Sequence, residues 1–252
     1  MHRFYLPRGS DQGTTLLLTG RESHHALHVL RVRPGEKVTV LDGEGLVREC
    51  QVSESARDKL VLKILEKRQI PPLPCHITLA QAIPKGKLFE SILQKATELG
   101  AARIVPLLTQ RTVARMDEEE GGRKVEKWRL VVIEAVKQCG SAWLPRVEPP
   151  MTIEQFLSTT STAELPLVGS LREDAQHPRI HFEAFERKHR RKPKSVSVAI
   201  GPEGDFTDEE LSSLQSAGAL PITLGPLVLR TETAAAYCLS VITYEMQWSS
   251  EE

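Results

Sequence analysis

Two short segments near the carboxyl-terminal end carry residue types that could grip a ligand. The first, Gly201-Pro202-Glu203-Gly204, follows the apolar run 196–200. The second, Gly225-Pro226-Leu227-Val228-Leu229-Arg230, follows the apolar run 220–224. Glycine lets the main chain approach a ligand closely, and proline stiffens the loop around it. A helix signal follows each loop. Thr207 and Glu210 have the spacing of a capping box. Ala234, Ala235 and Ala236, just after Thr231 to Thr233, have high helix propensity. Each loop therefore leaves the carboxyl end of a strand, the edge at which open α/β sheets bind ligands. One Gly-Pro loop reads as an ordinary tight connection. Two in adjacent units, both with polar groups, make a binding site an equal alternative.

The ligand chemistry can be narrowed. No GxxxxGK[ST] or GxGxxG cradle is present, so a pyrophosphate has no ready-made seat. The charge of Glu203 would repel one. A carboxylate in that place suits hydroxyl donors or a cation. A positively charged nucleoside without phosphates meets both conditions, and S-adenosylmethionine is one such molecule among several.

The elements that must hold these loops can be read from periodicity. Residues 76–83, 103–108, 165–168, 196–200 and 220–224 read as buried strands. Residues 87–99 read as an amphipathic helix with Leu88, Ile92, Ala96 and Leu99 on one face, closed by Gly100. Residues 125–139 read as a second, with Trp128, Val132, Ala135 and Cys139 on one stripe. Alternating strands and helices argue for a mostly parallel α/β sheet. Upstream the texture differs. Runs 14–18, 38–41, 46–52 and 60–65 read as short strands, with Asp42-Gly43 at a hairpin tip and a short helix beginning near Ser23. Such a set suggests a small barrel that closes its own edges. The prolines at 71, 72 and 74 mark a linker between the two. The expected domains are thus residues 1–70 and 75–252.

Composition limits the rest. The chain has 252 residues, 40% hydrophobic and 26% charged, with 33 Lys and Arg against 33 Asp and Glu. This is globular composition and excludes a disordered or collagen-like chain. Residues 1–72 hold twelve Lys and Arg against nine Asp and Glu, so the basic excess lies there; it hints weakly at an anionic partner. No apolar run is long enough to span a bilayer, and residues 1–7 lack the apolar stretch of a signal peptide. Cys50, Cys75, Cys139 and Cys238 are scattered and form no CxxC pair; a reducing cytoplasm is the expected setting. His24 and His28 share a helix face with no third ligand at suitable spacing, so no metal site is expected. The acids Asp117 to Glu120 and the basic run Arg187 to Lys194 read as solvated loops.

A resemblance then enters. Gly201-Pro202-Glu203-Gly204-Asp205-Phe206, followed by Leu224-Gly225-Pro226-Leu227-Val228-Leu229-Arg230-Thr231-Glu232-Thr233-Ala234, closely resembles the signature of the bacterial 16S rRNA uracil-N3-methyltransferases. These belong to the SPOUT superfamily of knotted methyltransferases. The resemblance runs through the chain. His24-His25, Val29-Leu30-Arg31, Pro34-Gly35 and Asp42-Gly43 are similar to the family's N-terminal barrel. Lys85-Gly86, Gln94 to Gly100 and Pro106 are similar to its first α/β unit, and Gln138 and Pro145 to a further segment. Departures occur at Asp205, where the family usually has glycine, and at Leu227 and Ser141, where it usually has arginine.

The resemblance implies a PUA-like or OB-like β-barrel followed by a SPOUT α/β domain with a deep trefoil knot. It also implies a homodimer, S-adenosylmethionine as cofactor, and methyl transfer to N3 of one uridine of 16S rRNA in the small ribosomal subunit. That nitrogen carries a proton on the Watson–Crick edge, so the base must be exposed and the proton must leave. Arg230 is the first choice for stabilising charge on the two flanking carbonyl oxygens, the alternative being a salt bridge to Glu232 or Glu203. Glu232 is a candidate base, the alternatives being a favourable charge at a helix start and water as the proton acceptor. The cofactor is expected against Ile200, Gly201, Pro202, Glu203, Gly204, Leu224, Gly225, Pro226 and Leu229. Thr233 and Ala234 would form its floor, with Val168 and Gly169 as a further wall. Arg31, Arg33, Lys85, Lys87 and Arg111 are the candidate RNA contacts, each otherwise surface charge. Rival functions are ribose 2′-oxygen methylation, a non-catalytic rRNA-binding protein on the same fold, and a nicotinamide oxidoreductase. The missing dinucleotide loop argues against the last.

Overall fold

The computed structural model describes residues 1–111, 118–159 and 163–247. It divides into two units. The first comprises Met1–Pro72 and Ile133–Leu144; the second comprises Leu73–Val132 and Pro145–Glu252.

The first unit is built on β1 (His2–Tyr5), β2 (Asp11–Gln12), β3 (Thr15–Leu18), β4 (Lys37–Leu41), β5 (Leu46–Ser55) and β6 (Leu60–Gln69). Among the described residues these form one sheet in the order β1-β4-β5-β6-β3-β2, antiparallel except for the parallel β1–β4 pair. Alternation turns Val38, Val40, Cys50, Val52, Leu60 and Leu62 inward, where they meet Phe4, Leu16 and Leu18. Strands from both ends of the sheet share this core, which makes a half-barrel with β1 and β2 as its edges. Helix α1 (Gly20–His24) runs on through a π-helical turn to Val29 and places Ala26 over the core. The Asp42 carboxylate accepts from the Glu44 and Leu46 amides at 2.7 and 2.9 Å, which fixes the β4–β5 hairpin.

The first unit is completed from far along the chain. Helix α3 (Glu118–Cys139) begins seven positions earlier than periodicity predicts, so Glu118, Glu119 and Glu120 open a helix rather than a loop. Asp117 lies outside the described residues. The last turns of α3 and the segment after it belong to the half-barrel. There the Gly45 amide donates to the Ala142 carbonyl, and the Leu144 amide to that of Gly43, both at 2.9 Å. Arg3 caps the helix end by donating to the Lys137 and Gln138 carbonyls. Lys137, 6% exposed, pairs with Glu22 at 2.9 Å. Cys139 is exposed, and Val136 takes its expected place on the buried stripe.

The second unit contains β7 (His76–Ala82), α2 (Leu88–Glu98), β8 (Arg103–Leu108), β9 (Arg146–Val147), β10 (Met151–Thr152) and α4 (Ile153–Thr159). It continues with β11 (Leu165–Gly169), α5 (Pro178–His189), β12 (Ser195–Ile200), α6 (Asp208–Ser216), β13 (Leu220–Ile222) and α7 (Thr231–Gln247). Among the described residues all seven strands are parallel, in the order β10-β8-β7-β12-β11-β13, with β9 also on β8. The central strands are apolar on both faces, as a sheet covered on both sides requires. Helices α2 and α5 pack on α7, and α4 packs on α6. The buried face of α2 is Phe89, Ile92, Leu93 and Ala96; Leu88, expected there, is 40% exposed at the first turn. Strands β1, β2, β9 and β10 and helices α4 and α5 were not expected from periodicity. The basic run Arg187 to Lys194 is the end of α5 and the turn into β12 rather than a free loop.

Candidate functional site

The loops after β11, β12 and β13 converge at the carboxyl edge of the sheet. They enclose a cavity of about 580 Å³ with the start of α7. That volume lies in the range of small-molecule sites. Of the residues expected from the sequence, Gly169, Ile200, Gly201, Pro202, Glu203, Leu224, Gly225, Pro226, Leu229, Arg230, Glu232 and Ala234 line it.

Three expected residues do not. Val168 is fully buried in the sheet core; strand alternation turns its neighbour Gly169 to the cavity instead. Gly204 lies at the outer tip of its loop, where Arg111 donates to its carbonyl. Thr233 is exposed. A helix turns about 100° per residue, so Thr233 points away from the side on which Thr231 sits, and Thr231 supplies the floor. The sequence reading also missed Ser170, Leu171 and Arg172 after β11, and Leu88. The first three belong to an ordinary-looking loop without a Gly-Pro signal, and Leu88 read as part of the buried face of its helix.

The floor is held by a short buried hydrogen-bond chain. Gln81, the last but one residue of β7, lies directly beside Ile200 on β12. Its Nε2 donates to the Thr231 hydroxyl and to the Ala82 carbonyl, both at 2.9 Å. The Thr231 hydroxyl donates onward to the Gly201 carbonyl at 2.6 Å. The donors and acceptors here are unambiguous. The carbonyl can only accept, so the threonine proton points to it and its lone pair faces the amide. Gln81 is fully buried and Thr231 is 4% exposed.

The first loop is a tight turn in which the Asp205 amide donates to the Pro202 carbonyl at 2.9 Å. A Cβ at Gly201 would come within 2.9 Å of Asp205 Oδ1 and 3.0 Å of the Phe206 amide, so only glycine fits. Asp205 has φ of 62°. That left-handed conformation favours glycine, with Asp among the residues that tolerate it. The departure at this position thus keeps the backbone, and its carboxylate accepts from the Phe206 amide at 2.8 Å. Gly225 has φ of 101°, which again calls for glycine.

Glu203 and Glu210 tie the first loop to its neighbours. Glu203 Oε1 accepts from the Lys85 amide at 3.0 Å, so one oxygen of the carboxylate braces the basic turn before α2. Glu210, 7% exposed, closes the capping box on Thr207 and accepts from the Gln110 amide at 2.7 Å. This draws the end of β8, with Arg111, against the same loop. Lys85, Lys87 and Arg111 are exposed near it. Arg31 and Arg33 are exposed in the first unit, Arg31 with φ of 56°.

Two opposite charges stand unpaired in the cavity wall. Among the described residues, Arg230 and Glu232 have no ion pair with each other, with Glu203, or with any other side chain. Cys238, further along α7, is pushed up to about 12 by burial and offers no nucleophile.

Comparison with known proteins gives this arrangement its family. The profile of the RNA methyltransferase domain matches residues 71–243, and that of the RNA methyltransferase PUA domain matches residues 18–65. A ribosomal RNA small subunit methyltransferase E from Synechocystis is 36% identical, over 90% of this chain and 72% of its own length. The Bacillus subtilis protein of that name is 30% identical over 98% of both.

The chain belongs to the ribosomal RNA small subunit methyltransferase E family.

Solved structures agree. The methyltransferase E of Neisseria gonorrhoeae, bound to S-adenosyl methionine, is 28% identical, covers 100% of both chains and superposes with a TM-score of 0.84. A methyltransferase of Legionella pneumophila, in complex with SAM, is 33% identical over 96% of each chain, with a TM-score of 0.85. The methyltransferase E family thus fits both units, the half-barrel and the parallel sheet. No helix among the described residues is long and apolar enough to cross a membrane.

Proposed function

We propose that this chain methylates N3 of one uridine in 16S rRNA of the small ribosomal subunit, with S-adenosylmethionine as the methyl donor. The observation that carries the reading is a cavity at the carboxyl edge of the sheet whose wall holds an arginine and a glutamate with no partner among the described residues. Arg230 is exposed and Glu232 half-buried, so both side chains are free to meet a ligand that enters the cavity.

The residues present suit the donor. Ile200, Leu224 and Leu229 offer apolar walls for a flat base, and the main chain around Gly201 and Gly225 can approach it closely. Glu203, Asp205 and Glu232 give the lining the negative charge that a sulfonium and an amine favour. Once bound, the donor supplies a methyl group made electrophilic by the adjacent sulfonium. The rest falls to side chains of this chain. Arg230 stands at the mouth of α7, where a planar guanidinium can hold two carbonyl oxygens at fixed spacing and stabilise charge on them. Glu232 is placed to accept the N3 proton as it leaves. The Gln81–Thr231–Gly201 chain holds the loop and the helix start at a fixed distance, which is what alignment needs.

On this reading residues 1–70, completed by Ile133–Leu144, form the RNA-binding half-barrel, and the remainder of 75–252 the SPOUT methyltransferase domain. Arg31, Arg33, Lys85, Lys87 and Arg111 contact RNA phosphates. The loops after β12 and β13 form the crossing of a trefoil knot, the enzyme is a homodimer, and it works in the cytoplasm.

Mass spectrometry of 16S rRNA from a strain lacking the gene tests the assignment. Loss of one 3-methyluridine is expected, and an unchanged modification pattern rejects it. Arg230→Ala should lower turnover by about 10²- to 10³-fold, in line with loss of one donor to a developing oxyanion, while calorimetry shows near-normal cofactor affinity. Near-normal turnover would remove Arg230 from the mechanism.

A further inference from the structure

We infer that the exposed cations at the end of α5 form a second phosphate-binding surface for the rRNA substrate, on the edge of the sheet opposite the cavity. The inference rests on the RNA-substrate reading above and extends it to a face that reading leaves unused.

The chain as a whole is neutral, yet residues 187–194 hold six Lys and Arg. Arg187, Lys188, Arg190, Arg191 and Lys194 are exposed. The acids around them are Glu164, Glu183, Glu186 and Glu245. Glu183 is taken by Arg179 at 2.9 Å. Glu164 is taken by both guanidinium nitrogens of Arg191 at 2.8 Å and by the Lys194 amide at 2.7 Å. Glu245 offers its main-chain carbonyl to Lys192. Among the described residues Arg187, Lys188 and Arg190 have no ion pair, nor does the Lys194 ammonium. The segregation of these charges on one edge of a neutral molecule creates a local positive field.

The surface is also held in shape. The Arg191 guanidinium lies 5.7 Å from the Phe185 ring centroid, and His189 stacks on the same ring at 4.3 Å. Pro193 is buried behind the turn. The free cations therefore project from a fixed scaffold, which spares the ordering entropy that a mobile tail would lose on binding.

Arg190 adds an independent sign. It occupies the left-handed position after α5, with φ of 57°. Glycine is the residue ordinarily found there, because any Cβ strains that conformation. The arginine at this position has no ion pair among the described residues and projects its charge from the centre of the basic run.

Placement favours a large polyanion over a small one. The run ends at the start of β12, whose other end opens into the cavity. Six residues of strand separate them, roughly 20 Å at about 3.3 Å per residue. A mononucleotide cannot reach both. A folded RNA of the small subunit can place one nucleotide in the cavity and a neighbouring backbone on the opposite edge.

The test uses the full chain with Arg187, Lys188 and Arg190 all replaced by glutamine, and 16S rRNA or small subunits as substrate. Methyl transfer is followed as a function of substrate and KCl concentration. KM for RNA should rise about tenfold or more, while the slope of log affinity against log salt falls by about 2 to 3, near 0.7 to 0.9 per cation removed. Turnover at saturating RNA and calorimetric affinity for the methyl donor should stay within about twofold. A single Arg190→Gly variant separates structure from binding. It should raise the thermal midpoint by relieving the left-handed strain and still weaken RNA binding. Unchanged KM and salt slope overturn the inference. So does a lowered thermal midpoint with unchanged RNA binding, which would mean the cations serve the negative end of α5. A change of oligomeric state in sedimentation also overturns it. Failure of the wild-type chain to methylate small-subunit RNA at all would instead overturn the underlying function.

Discussion

Thr231→Val isolates the hydrogen-bond chain beneath the cavity. The substitution trades a hydroxyl for a methyl of nearly the same size, so packing is preserved and polarity is not. Two buried groups lose a partner. The Gly201 carbonyl loses its 2.6 Å donor, and Gln81 Nε2 loses one of two acceptors. Each buried group left unsatisfied costs about 1 to 3 kcal/mol, and burying the new methyl returns about 0.8 kcal/mol. The net expectation is a loss of about 1 to 5 kcal/mol in unfolding free energy. The same change releases the Gly201 peptide, so affinity for S-adenosylmethionine should fall about tenfold, which corresponds to about 1.4 kcal/mol. Urea unfolding at constant m-value reads the first quantity and calorimetry the second. Thr231→Ser is the control. It keeps the hydroxyl, forfeits a methyl at a cost of about 1 kcal/mol, and should bind the cofactor normally. A stability change below about 0.5 kcal/mol with unaltered affinity in the valine variant would refute the account of the floor.

Three further outcomes are expected. Glu210→Gln leaves one oxygen to serve the Thr207 and Gln110 amides, both now held by the carboxylate; thermal unfolding should show a loss of about 1 to 3 kcal/mol. In the half-barrel, Arg48 is 1% exposed and pairs with Asp11 at 2.7 Å, while Lys67 also reaches Asp11. Asp11→Asn leaves a buried guanidinium uncompensated and should cost about 3 to 5 kcal/mol, whereas Arg48→Met, which removes two buried nitrogens without partners, should cost far less. Burial works to raise the Asp11 carboxyl, but bonds from Lys67 and Arg48 outweigh it and hold it below its ordinary 3.8. Its contribution is therefore complete above 3.8 and is lost as pH falls through the depressed native value, because the unfolded chain binds the proton first. Acid titration of the wild type against Asp11→Asn checks the sign. Finally, burial pushes Cys50 and Cys75 up to about 11 and Cys238 up to about 12. Iodoacetamide should modify the exposed Cys139 in the native protein and all four thiols after unfolding, as intact-mass analysis would show.

The two Gly-Pro loops were legible because glycine and proline carry backbone information at single positions. The alternation of apolar strands with helices located the sheet for a related reason: burial on both faces writes an unbroken apolar run. What stayed hidden depends on geometry between distant residues. Nothing in Thr231 or Gln81 announces that one hydroxyl bridges two strands' ends. Thr233 looked equivalent to Thr231 until the helical turn was counted from the actual first residue. Glu203 read as facing a ligand, yet one of its oxygens braces the amide of Lys85. Helix α5 escaped because its buried face is only Pro178, Phe182 and Phe185 among charged residues. Strand β1 escaped because Phe4 is its one fully buried residue, set among His2, Arg3 and Tyr5.

The half-barrel takes its last piece, Ile133–Leu144, from beyond the first two strands of the other unit. During synthesis its edges must wait for some sixty residues of foreign sequence to emerge before Trp143 can donate to the Ile70 carbonyl and close the hairpin side. A fragment ending at the proline linker would consequently be born without a lid, exposing the surface that α3 covers, and chaperone engagement of the nascent chain should persist until Leu144 has left the ribosome.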